Sequence, residues 1–255
     1  MTTAAIHIGA IATVIARPHL WPFAVGAVAA NHLTLTAAGL WPRSTLLGSN
    51  WTHLPAASAA RNEIALSIDD GPDPEVTPRV LDMLDAQGMR ATFFCIGERV
   101  ARHAVLARDI VNRGHGLENH SYHHRNYFSL MGPRAMASEI SRAQSTIADV
   151  TGIVPKFFRA PAGLRNPLLD PLLQRFGLQL ASWTRRGFDT VNRNPDDVLQ
   201  KLIRELAAGD ILLLHDGQAA RTRSGVPVIE AVLPRLLGAF AAARLAPVTL
   251  RAALN

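Results

Sequence analysis

The chain has 255 residues, 48% of them hydrophobic, with 26 basic against 20 acidic residues and a formal charge of +6. That length holds one large α/β domain or two small ones, each with a full core. The positive charge is almost all arginine, with lysine only at Lys156 and Lys201, and no basic block interleaved with aromatics occurs, which argues against a nucleic-acid partner.

Residues 1–41 read as an apolar, helical, membrane-associated segment. The run from Thr3 to Ala16 is too short to span a bilayer comfortably, and Arg17, Pro18 and His19 interrupt it. Leu20 to Trp41 has the roughly 20 residues a spanning helix needs. It carries Pro22, Asn31 and His32, with Trp21 and Trp41 near its ends as in an aromatic belt. Two arrangements stay open. A membrane hairpin is favoured because the segment is apolar on all sides; the other is a pair of helices buried on the main domain. Arg17 and Arg43 flank the long run on both sides, so charge does not orient it. No Lys or Arg precedes the first run, which weakens a signal-peptide reading. Residues 42–62, with Gly48, Pro55 and several Ser and Asn, read as a linker.

Residues 63–255 form the main domain, in which short β-prone runs alternate with longer helical ones. Strands are expected at Ile64 to Ile68, Thr92 to Ile96, Gly116 to Asn119, Lys156 to Arg159, Gln179 to Trp183, Ile211 to His215 and Pro247 to Leu250. Helices are expected at Glu75 to Gln87, Glu98 to Asn112, Pro133 to Val150, Leu168 to Phe176, Asp196 to Ala208 and Val226 to Arg244. About seven β-α units argue for a parallel sheet with helical crossovers, closed or nearly so. The single cysteine, Cys95, lies in an apolar run and reads as a buried small hydrophobe. With one cysteine the redox compartment stays undecided.

Polar clusters recur just after the strands, where barrel enzymes assemble their sites. Asp69 and Asp70 end the first strand before Gly71 and Pro72. Alone this is a polar turn; with the turn relaxing strand alternation, both carboxylates can aim into one mouth. His120 and His124 are four apart, so that on a helical turn both imidazoles would reach one cation, although a solvated loop is an equal reading. One carboxylate added to them suits Zn²⁺, Co²⁺, Mn²⁺, Fe²⁺ or Ni²⁺. His115 and His123 have no assigned role. Arg159 follows an apolar strand and is expected to pair with a carboxylate, in a structural or a functional bridge. His215, beside Asp216 at the end of the most apolar strand, is a candidate general acid. Asp189 follows Trp183 at a short distance.

The ordered set Ser67-Ile68-Asp69-Asp70-Gly71-Pro72, His120-Ser121-x-x-His124, Arg159-x-Pro161 and Leu213-Leu214-His215-Asp216 resembles the polysaccharide deacetylases, the NodB-homology enzymes of carbohydrate esterase family 4. The resemblance covers Glu63 to the C-terminus. It implies a distorted (β/α)7 barrel of the NodB type and one divalent metal, zinc first among the five. Asp70, His120 and His124 would hold the metal, and Asp69 would be the base that deprotonates metal-bound water. Arg159 would fix Asp69, His215 would protonate the leaving amine, and Asp189 would tune His215. Pro161, Ala162, Trp183 and Leu213 would contact substrate, the Ala162 N–H helping to hold the oxyanion.

Two departures stand out. Ala162 replaces the usual aromatic residue, and in the fourth motif Thr190 replaces Trp and Arg186 replaces an earlier Asp. Both alter the sugar groove and weigh against a long chitin-like polymer. The implied activity is hydrolysis of a non-peptide carbon–nitrogen bond, removing an N-acyl group, acetyl first, from an amino sugar of a cell-envelope polysaccharide or oligosaccharide. A deacetylase or deformylase of an isoprenoid-lipid-linked sugar is the alternative, and a non-catalytic carbohydrate-binding or membrane scaffold protein is the alternative of another class. The apolar N-terminus adds a cell-membrane location, with the catalytic domain outside the cytoplasm.

Overall fold

The alternation of β-prone and amphipathic runs is realised in a computed structural model that describes residues 2–254. Two long helices, α1 (Thr2–Ala16) and α2 (Trp21–Leu40), precede a short α3 (Ala56–Ala60). The main domain then runs β1 (Glu63–Asp69), α4 (Thr77–Ala86), β2 (Thr92–Cys95), α5 (Gly97–Arg102), α6 (Ala104–Asn112) and β3 (Gly116–Asn119). It continues through α7 (Pro133–Thr151), β4 (Phe157–Phe158), α8 (Leu169–Arg175), β5 (Gln179–Leu180) and β6 (Arg185–Arg186). The last elements are α9 (Pro195–Ile203), β7 (Ile211–His215), α10 (Val228–Ala242) and β8 (Ala246–Pro247).

The strands lie in the order β5-β4-β3-β2-β1-β7-β6, all parallel, and β8 pairs with the start of β1. This is a parallel half-barrel wrapped by helices, the α/β class expected. Side chains alternate along β1. Ile64, Leu66 and Ile68 face the helical layer and pack with Leu81, Leu233 and Phe240. Ala65 faces the barrel interior with Phe94, Phe157 and Ile211. Ser67 and Asp69 share that inward side, so the period of two carries the last carboxylate into the barrel mouth. The register sets Asp69 beside Phe94 of β2 and His215 of β7.

Strands β5 and β6 do not pair with each other. Between them runs the stretch expected as a linker: Trp51 bridges Ala181 in parallel and His53 bridges Asp210 antiparallel. The Trp51 N–H donates to Leu180 O and the Leu54 N–H to Gly209 O, while Leu54 and Ser58 are buried. Residues 51–58 therefore belong to the barrel wall. The Gly, Pro, Ser and Asn residues scattered over 42–62 mark turns, but unpaired strand-edge groups recruit this part of the stretch.

Two further differences are local. The helix expected over Glu98 to Asn112 is two helices, broken at His103. Strand β6 was not anticipated, because Arg185 and Arg186 carry no apolar signal.

Helices α1 and α2 form an antiparallel hairpin. His7 and His32 face each other across it, their Nε2 atoms 3.2 Å apart, and the Asn31 amide donates to the Thr3 hydroxyl. Its flanks are uncovered: Ile15, Phe23 and Leu33 are 76, 75 and 71% exposed. The main domain holds it at the C-terminal end of α2, where the Arg165 N–H donates to Gly39 O at 3.2 Å. A Cβ at Gly39 would lie 2.3 Å from Arg165 O, so this docking needs glycine. The stretch Pro18–Leu40 is long and apolar enough to cross a membrane by length and composition.

Candidate active site

Asp69 and Asp70 diverge in role because the backbone changes hand between them. Asp69 is the last residue of β1, whereas Asp70 has a left-handed φ of 74°. That reversal cancels the strand's alternation and turns both carboxylates toward one cavity. The Arg99 guanidinium donates to Asp70 O at 2.9 Å and holds the turn. Arg159, buried at the end of β4, donates to Asp69 Oδ1 at 2.6 Å and to Ser67 Oγ at 2.8 Å. Its other nitrogens donate to the carbonyls of Ala181 and Ser182, and Phe94 stacks 4.0 Å from the guanidinium carbon. Burial draws the Arg159 pKa down and the Asp69 carboxylate opposes it. Both charges are buried, so removing either alone would cost about 3–5 kcal/mol.

His120 and His124 stand in an irregular loop, the second of the two readings their spacing allowed, and not on a helical turn. Left-handed residues Ser121 (φ 61°) and His124 (φ 53°) bend the loop until the two rings are 4.7 Å apart. The Nδ1–H of His120 donates to Arg159 O at 2.8 Å, which fixes the tautomer and leaves Nε2 with its lone pair toward the cavity. Burial, reinforced by His120, lowers the His124 pKa to about 4, so that ring is neutral and ligand-competent at neutral pH.

These three residues fit a metal ion. Asp70 Oδ1 is buried without a hydrogen-bond partner, 3.4 Å from His120 Nε2 and 3.3 Å from His124 Nε2. Donor atoms about 2.1 Å from a tetrahedral cation are about 3.4 Å apart, the spacing found here. Asp70, His120 and His124 also form the candidate metal cluster among the described residues. Burial opposes ionisation of Asp70, but the neighbouring imidazoles, His120 first, hold its carboxyl at about 2. A carboxylate and two imidazoles suit zinc and its first-row neighbours.

The third charged group in the cavity is His215. Its Nδ1–H donates to Asp189 Oδ1 at 2.9 Å, and its backbone N–H donates to Oδ2 of the same carboxylate at 2.7 Å. Burial works against the imidazolium, yet Asp189 first, then Asp69 and Asp70, raise the His215 pKa to about 9. The sequence neighbour Asp216 plays no such part. It is buried away from the cavity, bonded by the Thr77 hydroxyl and the Gly217 N–H, and burial raises its pKa to about 7.

A metal-type triad, an unliganded carboxylate locked by a buried arginine and a proton-carrying histidine thus line one cavity. A family model described as polysaccharide deacetylase matches residues 56–181. A peptidoglycan-N-acetylglucosamine deacetylase of Bacillus cereus is 33% identical over 68% of this chain and 81% of its own length. This chain belongs to the polysaccharide deacetylase family. A chitooligosaccharide deacetylase of Azorhizobium caulinodans is 30% identical, over 64% of this chain and 78% of that protein. A solved family 4 carbohydrate esterase from Streptomyces lividans, in complex with acetate, superposes with a TM-score of 0.66 at 34% identity, covering 72% of this chain and 91% of that one. The chain spans 63% of the length of a second B. cereus relative of the same name as the first.

The cavity has a volume of about 280 Å³, and Ala162, Trp183 and Leu213 line it. Pro161 is buried and is not among the lining residues. Ala160, Gly163, Arg186, Thr190 and Gln218 complete the wall. A Cβ on Gly163 would sit 2.6 Å from the Trp183 ring and 2.9 Å from Pro42 Cβ. The two histidines without an assigned role are structural: His115 accepts from the Ala91 N–H, and His123 bonds Glu139 at 2.6 Å. Sequence reasoning gave no role to Ser67, which accepts from Arg159, or to Arg99, which holds the Asp70 backbone carbonyl. A Ser two residues before Asp69 on the same strand face was the available signal for the first; for Arg99 there was none.

Proposed function

We propose that the chain is a metal-dependent N-deacetylase acting on an N-acetylated amino sugar, N-acetylglucosamine in class, within a cell-envelope polysaccharide or oligosaccharide. One observation carries this reading. Asp69, tied to Arg159 through Oδ1, stands free of the Asp70–His120–His124 set while its Oδ2 lies 3.8 Å from His120 Nε2. A divalent cation held by those three residues, zinc first, would polarise the acyl carbonyl and make water available as a nucleophile at neutral pH.

The residues divide the remaining work. Asp69 accepts the proton of the attacking water, and Arg159 keeps it oriented and counterbalanced in a dry environment. His215, protonated at neutral pH because Asp189 stabilises the imidazolium, donates a proton to the departing amine nitrogen. The Ala162 N–H, on a left-handed residue (φ 55°) in the cavity wall, is placed to hold the carbonyl oxygen as charge develops. Ala162 and Thr190 leave more room around the sugar than larger side chains would. The names of the B. cereus and A. caulinodans relatives support the substrate class. The uncovered hairpin supports a cell-membrane location, and the cell-wall substrate in the B. cereus relative's name supports a catalytic domain outside the cytoplasm.

The test pairs two variants. Asp69→Asn is expected to lower kcat on an N-acetylglucosamine oligomer about 10²–10⁴-fold with metal content unchanged by elemental analysis. His120→Ala is expected to lose both metal and turnover. Full activity in Asp69→Asn would remove the general-base assignment and the mechanism with it.

A further inference from the structure

A second groove of about 480 Å³ adjoins the catalytic cavity and shares Trp183 and Arg186 with it. Its other walls include Trp41, Arg43, Phe188 and Lys201, and no acidic residue lines it. The cations come from three separate elements: Arg43 follows α2, Arg186 ends β6 and Lys201 lies in α9. None of these three makes an ion pair with a carboxylate among the described residues, whereas the neighbouring Arg185 is bound to Asp210 at 2.8 Å.

Arg186 is the most telling of the three. It is half-buried, and its Nε has no hydrogen-bond partner. Aromatic faces hold it in place, with the guanidinium carbon 5.2 Å from the Trp183 ring and 4.4 Å from the Phe188 ring. Lys201 Nζ lies 5.5 Å from Phe188 on the same ladder. Burial lowers the Arg186 pKa, and the Asp189 and Asp69 carboxylates oppose this from a distance without pairing with it. Three cations without an ion-pair partner, gathered at one groove that no carboxylate lines, favour an anion entering it.

We propose that this groove holds a phosphoryl-class oxyanion, phosphate or pyrophosphate, carried by the substrate next to the sugar being deacylated. The assignment rests on the N-deacetylase reading, because the shared Trp183–Arg186 wall places the anion beside the scissile group. Two guanidinium groups and an ammonium match a multiply charged phosphoryl group better than a single carboxylate. Such a group could be the pyrophosphate joining a sugar to a prenyl lipid or a phosphate ester on a soluble glycan. Trp41 and Arg43, which wall the groove, sit where the apolar hairpin ends, and this favours the first source.

The probe is inorganic pyrophosphate, titrated calorimetrically into the metal-loaded full chain and into Arg43→Ala/Lys201→Ala. Binding is expected to weaken about tenfold in the variant, with the difference vanishing in high salt. Equal affinity in both proteins would put the anion on the metal cluster and overturn the proposal. In parallel, kcat/KM is compared for a neutral N-acetylglucosamine oligomer, the same oligomer carrying a 6-phosphate, and a prenyl-pyrophosphoryl N-acetylglucosamine in micelles. The wild type is expected to prefer one charged substrate over the neutral one, and the variant to lose that preference while keeping its rate on the neutral oligomer. The preferred substrate names the source; no preference for either overturns the proposal. Absence of activity on all three, with pyrophosphate binding still dependent on Arg43 and Lys201, would fault the deacetylase reading and not the anion site.

Discussion

At the residue scale the chemistry depends on charges whose protonation is set by neighbours. His215 is the clearest case, with Asp189 holding both its ring and its backbone N–H. Its folded pKa, about 9, lies above the ordinary imidazole value of about 6.5, so the stability it contributes is complete below the latter and is lost as pH rises through the former. Asp70 behaves oppositely: its contribution is present above the usual carboxyl range and is lost as pH falls through about 2. Asp216, raised to about 7, costs stability as pH climbs from the usual carboxyl range to neutrality. Replacing Asp189 by Asn removes the main support of the His215 proton. The alkaline limb of the kcat/KM–pH profile is expected to move down by about 1 to 3 units. A bound cation lowers the His215 pKa in both proteins, so the direction of the move is the readout. An unmoved limb would show that His215 is not the acid.

At the element scale, close backbone approaches join the hairpin to the catalytic face. Gly39 meets Arg165 O, and Gly163 meets Trp183 and Pro42. The Ser182 hydroxyl donates to Pro42 O at 2.7 Å, tying the same junction to the strand end that anchors Arg159. Gly39→Ala is expected to displace the end of α2 at a cost of about 1–3 kcal/mol, the usual scale of overpacking. Hydrogen exchange should then show lost protection over residues 35–41 with the barrel strands unchanged. Unchanged protection there would mean that the contact does not hold the hairpin.

For the whole molecule, the exposed faces of α1 and α2 are the feature that a compact barrel does not need. Twenty residues of α2 at 1.5 Å each reach about 30 Å, the thickness of the hydrocarbon core. The full chain is expected to float with phospholipid vesicles in a density gradient, and Ile15→Asp/Phe23→Asp to shift it to the soluble fraction while activity on a short soluble oligomer persists. Flotation that is indifferent to these substitutions would remove the hairpin as the membrane contact.

Much of this architecture is written locally. Apolar runs ending in a carboxylate or a histidine set the strands β1 and β7 and placed Asp69, Asp70 and His215 at their tips, because strand and helix periods are short-range properties of the chain. Long-range pairing decided the rest. Only the fold could show that residues 51–54 fill the gap in the barrel wall, since an unsatisfied strand edge recruits whatever backbone is near. Only the fold could decide between a helical turn and a loop for His120 and His124, because the loop with its positive φ at Ser121 is held from a distance, the Gly97 N–H donating to Ser121 O. The same holds for Asp189, 26 positions from His215, and for the cations that meet across three elements beside Trp183: charges distant along the chain acquire their meaning when packing brings them within a few ångströms.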